Sequence, residues 1–220
     1  GYMARIGLAT FIAELAMGIM MVTGNYMFMS YLGEAGVAAF SIGCYLFPLI
    51  FSINNVVAQA SQPIISYNYG ARRPDRVGQA LRIALVTACI CGAIITLGMW
   101  TGAPVLARIF LNPSETAYSI ASAGLPVLGL CALFFALNIT FIGYYQSCEQ
   151  AGRSIVYMLL RGVIFMIPGF VVLPHFWGET GLWLAIPVSE MLTLAVIVTF
   201  YLVGRARRMG RQPHTGVTAG

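Results

Sequence analysis

Apolar residues in this chain come in long blocks, not in the strict alternation of strands or the narrow stripes of surface helices. Six blocks reach the roughly 20 residues that a helix needs to cross a bilayer. The pattern predicts spans from about Ile6 to Leu32, Val37 to Ser66, Ala80 to Thr101, Ala121 to Gln146, Ile155 to Leu173 and Leu182 to Val203. The breaks between them carry turn chemistry. Gly33-Glu34-Ala35-Gly36 and its near twin Gly178-Glu179-Thr180-Gly181 read as tight hairpins. Asn112-Pro113-Ser114-Glu115 reads as a turn and a helix start, with Ser114 as the N-cap. The polar, Gly/Pro-containing stretch 205–220 reads as a disordered tail, leaving 1–204 as the helical lobe. The expected fold is an all-α membrane protein, a bundle of six transmembrane helices.

Composition agrees. Of 220 residues, 59% are hydrophobic and 9% charged, against roughly 25% charged in a soluble domain. Six buried helices of a large soluble protein would not show this charge pattern. The net charge of +5 comes from arginine alone, since there is no lysine among the 12 basic residues. A basic total can signal nucleic acid, but here the arginines sit between apolar blocks and read as topology signals. One side of the membrane receives Arg5, Arg72, Arg73, Arg76, Arg82, Arg153, Arg161 and the tail arginines, Arg205, Arg207, Arg208 and Arg211; the other receives only Arg108. By the positive-inside rule the arginine-rich side is cytoplasmic, so both ends of the chain are expected there, in a multi-pass plasma or inner membrane protein. The chain starts with Gly1 and enters a span almost at once, with no secretory leader, so it reads as a piece of something longer. Cys44, Cys89, Cys91 and Cys131 lie inside apolar blocks and Cys148 follows one; all read as small packing residues, and no metal or redox spacing is present.

Ionisable groups at membrane depth are expensive and mark functional sites. Glu14 lies about 14 Å past Arg5 along span one, at 1.5 Å per residue, and Glu190 lies similarly deep in span six. A carboxylate held away from water takes a proton readily, and its oxygens equally suit sodium, a hard cation. Glu14, Gly18, Met21 and Asn25 share one face of span one. Met21 and Asn25 therefore stand as cavity-lining candidates. In span two, Ser52, Asn55, Gln59, Gln62 and Ser66 share a face, with Asn54 beside it. Amides in lipid cost free energy unless satisfied, so this face is expected to line a cavity in the cytoplasmic half. In span four, Asn138 and Tyr145 share a face and are expected on the same cavity. Prolines inside the spans permit kinks. There is no P-loop and no H-E-x-x-H motif, and no paired nucleophile and base, so an enzyme is not expected.

The run Gln59-Ala60-Ser61-Gln62-Pro63-Ile64-Ile65-Ser66-Tyr67-Asn68-Tyr69-Gly70-Ala71-Arg72 resembles the segment ending the eighth helix of multidrug and toxic compound extrusion (MATE) transporters. Phe47-Pro48-Leu49-Ile50-Phe51-Ser52-Ile53-Asn54-Asn55 fits the same helix. Phe11-Ile12-Ala13-Glu14 is similar to the family's seventh helix, and Gly143-Tyr144-Tyr145-Gln146 to the end of its tenth. The resemblance spans about residues 5 to 205. It implies the C-terminal six-helix lobe of a twelve-helix transporter, partnered by an N-terminal lobe. It also implies export of organic, often cationic, compounds against inward sodium or protons, without a cofactor. Glu14 matches the carboxylate linked to cation coupling, with sodium near it as one option. Some members carry a second acid in the tenth helix; span four has none, and Asn138 is its nearest polar residue. That departure keeps proton coupling as open as sodium, with Asn138 and Glu190 as the other cation-coupling candidates.

Two other readings stay open: a lipid-linked precursor flippase of the same superfamily, and a non-transporting membrane subunit or fragment. A flippase for anionic pyrophosphate lipids needs cavity arginine or lysine. With every arginine read at a span end, neutral or cationic substrates are expected. Glu14→Gln in the full-length protein is predicted to abolish cation-coupled efflux while leaving the protein folded. Unchanged ethidium export from loaded cells would refute the coupling role.

Overall fold

The computed structural model describes residues 2–209; side chains are described from Phe11 onward, except those of 12–14, 16, 17, 205 and 207–209. Among the described residues the fold is helical throughout. It comprises α1 (Tyr2–Gly70), α2 (Pro74–Phe110), α3 (Thr116–Ser147), α4 (Ala151–Leu159) and α5 (Met166–Met209), with a π-helical segment, Leu160–Ile164, between α4 and α5.

Two of these helices are hairpins. At Gly33 the backbone takes φ 64° and ψ −155°, and at Gly178 φ 54° and ψ −130°. Both have a positive φ that residues with a Cβ rarely adopt, although the space around each is open, so the backbone conformation favours glycine there. A Cβ built on Gly24 would run into the ring of Phe40, sixteen residues later. A straight helix would hold those residues about 24 Å apart, so the chain reverses at Gly33. A Cβ on Gly169 would stand 3.3 Å from the carbonyl oxygen of Ala185, which places the second reversal at Gly178. The chain therefore makes six crossings: 2–32, 34–70, 74–110, 116–147, 151–177 and 179–209. Four continuous helical stretches, Gly18–Gly70, Pro74–Phe110, Thr116–Ser147 and Ala151–Gly204, are long and apolar enough to cross a membrane, and the first and last of them contain the two reversals.

Several boundaries differ from the sequence reading. Each expected four-residue hairpin turn contracts to a single glycine, since helical geometry resumes at Glu34 and Glu179. Ser114 caps nothing: Glu115 holds the N-cap position without a side-chain cap bond, and Asn112 Nδ2 donates to its Oε1 at 2.8 Å. The last helix runs to Met209, past the expected boundary at 204; the rest of the tail, 210–220, lies outside the described residues.

The hairpin end of the bundle is packed shut. Phe28 and Phe40 stack with ring centroids 4.5 Å apart, and Trp183 meets the Phe28 ring edge-on at 4.9 Å. Phe170 adds an edge-on contact to Phe40. These rings are buried and bind the two hairpins to each other. Aromatic pairs of this kind add about 0.5–1.5 kcal/mol beyond their area. Along spans three and four small residues set the spacing, as is usual where lipid supplies no hydrophobic drive between helices. A Cβ on Gly92 would lie 2.8 Å from Leu133 Cα and 3.1 Å from the Ala132 carbonyl oxygen, so two backbones meet there.

This contact yields a paired test. Alanine is a better helix former than glycine by about 1 kcal/mol. Gly98 faces open space on the same helix, so Gly98→Ala should hold or raise the melting temperature of the purified protein. Gly92→Ala should lower it, because overpacking against backbone costs about 1–3 kcal/mol.

Candidate functional site

The amide stripe of span two does face a cavity. Asn55, Gln59, Gln62 and Ser66 line a space of about 830 Å³ enclosed by spans one, two, four, five and six. Its lining includes Tyr69, Gly70, Glu149 and Ala151, which lie at the arginine-rich end of the bundle. Met20, Phe47 and Phe51 give it an apolar flank. Gln62 reaches across to span four, where its Nε2 donates to Gln146 Oε1 at 3.3 Å. Spans two and four can approach this closely because position 143 is glycine; a Cβ there would meet Gln62 Nε2 at 3.1 Å.

An ion pair stands on the wall of this cavity. Arg161 Nε and Nη2 both donate to Glu190 Oε1, at 3.0 and 2.6 Å. Asn138 Nδ2 donates to Glu190 Oε2 at 2.7 Å and to its backbone carbonyl at 2.9 Å. The guanidinium carbon sits 4.2 Å from the centre of the Phe135 ring, a cation–π contact that fixes its plane. Arg161 and Glu190 both line the cavity, but unequally: the Arg161 side chain is 14% exposed and that of Glu190 4%.

Local backbone geometry explains the position of Arg161. It lies in the π-helical segment, where Phe165 N–H bonds back five residues to the Leu160 carbonyl at 2.9 Å. Widening the helix there leaves the Arg161 carbonyl to accept from Ser189 Oγ at 2.8 Å on span six. Such bulges in a helix commonly occur at functional positions.

Arg161 corrects the sequence reading. It is not a loop arginine, and not every arginine stays at a span end. It lies ten residues beyond Ala151, about 15 Å into span five. Removing it from the topology argument leaves ten arginines against one, so the asymmetry survives. The inference from an arginine-free interior to neutral or cationic substrates does not.

The other expected positions divide. Asn138 and Glu190 are in contact, although Asn138 stands behind the cavity wall, and its Oδ1 has no partner among the described residues. The Glu14 side chain, and with it any sodium near it, lies outside the described residues. Asn55, Gln59 and Gln62 line the cavity as expected, while Met21, Asn25, Asn54 and Tyr145 do not. Met21 packs on the main core, where the neighbouring Met20 takes the cavity position. Asn25 is half-buried and turned away from the lining, with its Oδ1 unpartnered among the described residues. Asn54 is fully buried, and neither amide atom has a partner among the described residues. Tyr145 belongs to a separate buried cluster with Tyr157, its ring centroid 5.3 Å away, and Arg153 lies over its ring at 5.6 Å. The sequence reading missed Arg161 and Ser189. An arginine flanked by Leu159-Leu160 and Val163-Ile164 was the available signal.

The profile of the MatE family matches residues 9–172. The chain belongs to the MatE family. Members of this family are transporters, not enzymes. A protein from Shewanella oneidensis described as an FAD transporter is 25% identical over 177 residues, covering 80% of this chain and 38% of that protein. A probable multidrug resistance protein, NorM, from Rhodopseudomonas palustris is 30% identical over 98 residues, 44% of this chain and 21% of that protein. The fold is that of a transporter of the MOP superfamily from Pyrococcus furiosus, whose structure was reported with a binding pocket of reversed polarity: TM-score 0.82, 22% identity, 92% of this chain and 45% of that one. It is equally similar to an inward-facing MATE family multidrug transporter, with TM-score 0.83, 21% identity and 92% and 46% coverage. This MatE chain thus spans about half the length of the structures it matches, or one lobe.

Breaking a buried pair by removing one partner costs about 3–5 kcal/mol, whereas replacing both with apolar groups is often neutral. Arg161→Met or Glu190→Leu alone should therefore lower stability by ~2–3 kcal/mol, at the low end because the cavity admits solvent. The double variant should recover most of that loss, and additive losses in a denaturation series would show that the pair is not formed.

Proposed function

We propose that this chain is the C-terminal lobe of a secondary active transporter that exports organic small molecules against inward protons or sodium. The observation that carries this reading is the cavity: about 830 Å³, amide-lined, reaching the arginine-rich end, with an ion pair on its wall. Its volume falls in the range of about 300–1,000 Å³ typical of small-molecule sites. The aromatic packing beneath the hairpins closes the opposite end, as a state loaded from one side requires. In this reading that end of the cavity, and both chain ends, lie on the cytoplasmic side of a plasma or inner membrane, and the arginine asymmetry supports it. A second, N-terminal lobe completes the substrate path in this reading.

Cation coupling is assigned to the carboxylates Glu14 and Glu190, with Asn138 as a neutral ligand. A proton or sodium ion arriving at Glu190 competes with Arg161 and Asn138 for its oxygens. Because those partners stand on spans five and four, ion binding is converted into a shift between helices. The π-helical segment and the Gly178 reversal are the points where span five can yield.

The relatives named above are described by two different cargoes, FAD and multiple drugs, and either fits a cavity of this size. The alternative reading, a flippase for lipid-linked precursors, gains from the presence of Arg161 on the cavity wall. It loses from the near-complete pairing of that arginine with Glu190.

Efflux by the full-length protein tests the proposal. Gln59→Leu and Gln62→Leu should each reduce export severalfold, chiefly through KM, by removing cavity hydrogen-bonding groups worth about 1 kcal/mol apiece. A protonophore or sodium withdrawal should abolish export, and the effective treatment names the ion. Export insensitive to both would rule out ion coupling.

A further inference from the structure

Glu190 presents little of its charge to the cavity. Oε1 receives both Arg161 donors and Oε2 receives Asn138, and the residue is almost fully buried. Arg161 is the more exposed partner. Its Nε and Nη2 are engaged, whereas Nη1 has no hydrogen-bond partner among the described residues. A guanidinium offers five N–H donors in a planar fork. The edge bearing Nη1 is therefore unspent, and it belongs to a side chain on the cavity wall.

Pre-organisation favours that edge as a binding group. Phe135 holds the guanidinium plane at 4.2 Å, and Glu190 fixes its rotation through two bonds. Little rotamer entropy remains to be lost when a ligand arrives. The nearby neutral lining, Asn55, Gln59 and Gln62, carries amide N–H groups suited to a second and third contact with an oxyanion. At the arginine-rich end, Arg72, Arg73, Arg76 and Arg153 are close in the chain to the lining residues Gly70 and Ala151, and such basic groups raise the local concentration of anions. Glu149 is the acidic residue on the lining there.

We propose that the unspent edge of Arg161 is the receptor for an oxyanion, a carboxylate or phosphate group on the transported compound. Paired oxygens of a carboxylate or phosphate match the spacing of guanidinium donors. An organic cation entering the same cavity would meet the guanidinium first, because Glu190 is the less exposed partner and lies behind it. Glu190 and Phe135 act as positioning residues for Arg161. The proposal rests on the export reading and narrows it to compounds that bear an anionic group.

The test uses the full-length protein in phosphatidylcholine vesicles and two fluorescent probes that differ by one phosphate, riboflavin 5′-phosphate and riboflavin. Benzoate, a small carboxylate, is measured by competition. The phosphate form should bind roughly tenfold or more tightly than riboflavin, the gain expected of a charge-assisted contact. Arg161→Gln should erase the difference, and Arg161→Lys should keep only part of it. Should Arg161→Gln unfold because Glu190 is left unpaired, Arg161→Gln/Glu190→Gln removes both charges and should likewise bind the two probes equally. Equal affinities in the wild type, failure of every anion to bind, or a phosphate preference that survives both variants would overturn the proposal. Repeating the binding with phosphatidylglycerol in the vesicles separates sources: competition by the lipid assigns the oxyanion to a headgroup, and its absence to a soluble compound. Ethidium efflux measured in parallel separates the two claims. Intact efflux without anion binding rejects the oxyanion site and spares the export reading. Anion binding without energised transport of any probe does the reverse.

Discussion

Placing an arginine and a glutamate about halfway through a membrane constrains everything around them. Neither charge is tolerable there alone. The pair is held by geometry: two donors from Arg161 on one carboxylate oxygen, an amide on the other, and an aromatic ring under the guanidinium. The groups come from three different spans. Arg161 needs the π-helical widening of span five, Glu190 needs the reversal at Gly178 that brings span six back alongside it, and Asn138 needs span four to stand behind both. The bundle is therefore arranged around this pair as much as around its apolar core.

The two ends of the lobe follow different physics. Beneath the hairpins, buried rings stack and meet edge-on between the spans. Toward the arginine-rich end, spans two and four touch through Gln62 and Gln146 and through the bare backbone at Gly143, and amides coat the wall. A polar cavity is stable there because its groups are hydrated or paired, which lipid would not allow. One end packed with aromatic rings and the other lined by polar side chains is an asymmetry that suits the proposed vectorial transport.

Most of the fold was legible in the chain. Long apolar blocks and glycine-bounded turns located all six crossings, because hydrophobic length is a direct physical requirement for spanning a bilayer. The amide stripe was legible for the same kind of reason: Asn55, Gln59 and Gln62 recur at helical spacing, and such groups must find water or a partner. Position around a helix was less legible. Asn54, Asn25 and Tyr145 are polar residues near the right depth, yet which way each points depends on helix rotation, which neighbouring packing decides. Arg161 was misread because charge was read as topology. Its pairing with Glu190 joins residues 29 positions apart across a hairpin, and no local period encodes that contact. The π-helical segment that presents Arg161 left no recognised sequence mark.

The central claim is that the membrane-depth pair is reached through a cavity from the arginine-rich side, which is proposed to be cytoplasmic. Cysteine accessibility reads this most directly. In a full-length background lacking other cysteines, Gln59→Cys and Gly162→Cys, both on the lining, should react with a membrane-impermeant maleimide supplied from the cytoplasmic side. Asn54→Cys, fully buried, should not. Labelling of Gly162→Cys only from the opposite side, or not at all while Gln59→Cys reacts, would contradict the account, because the cavity would then stop short of Arg161.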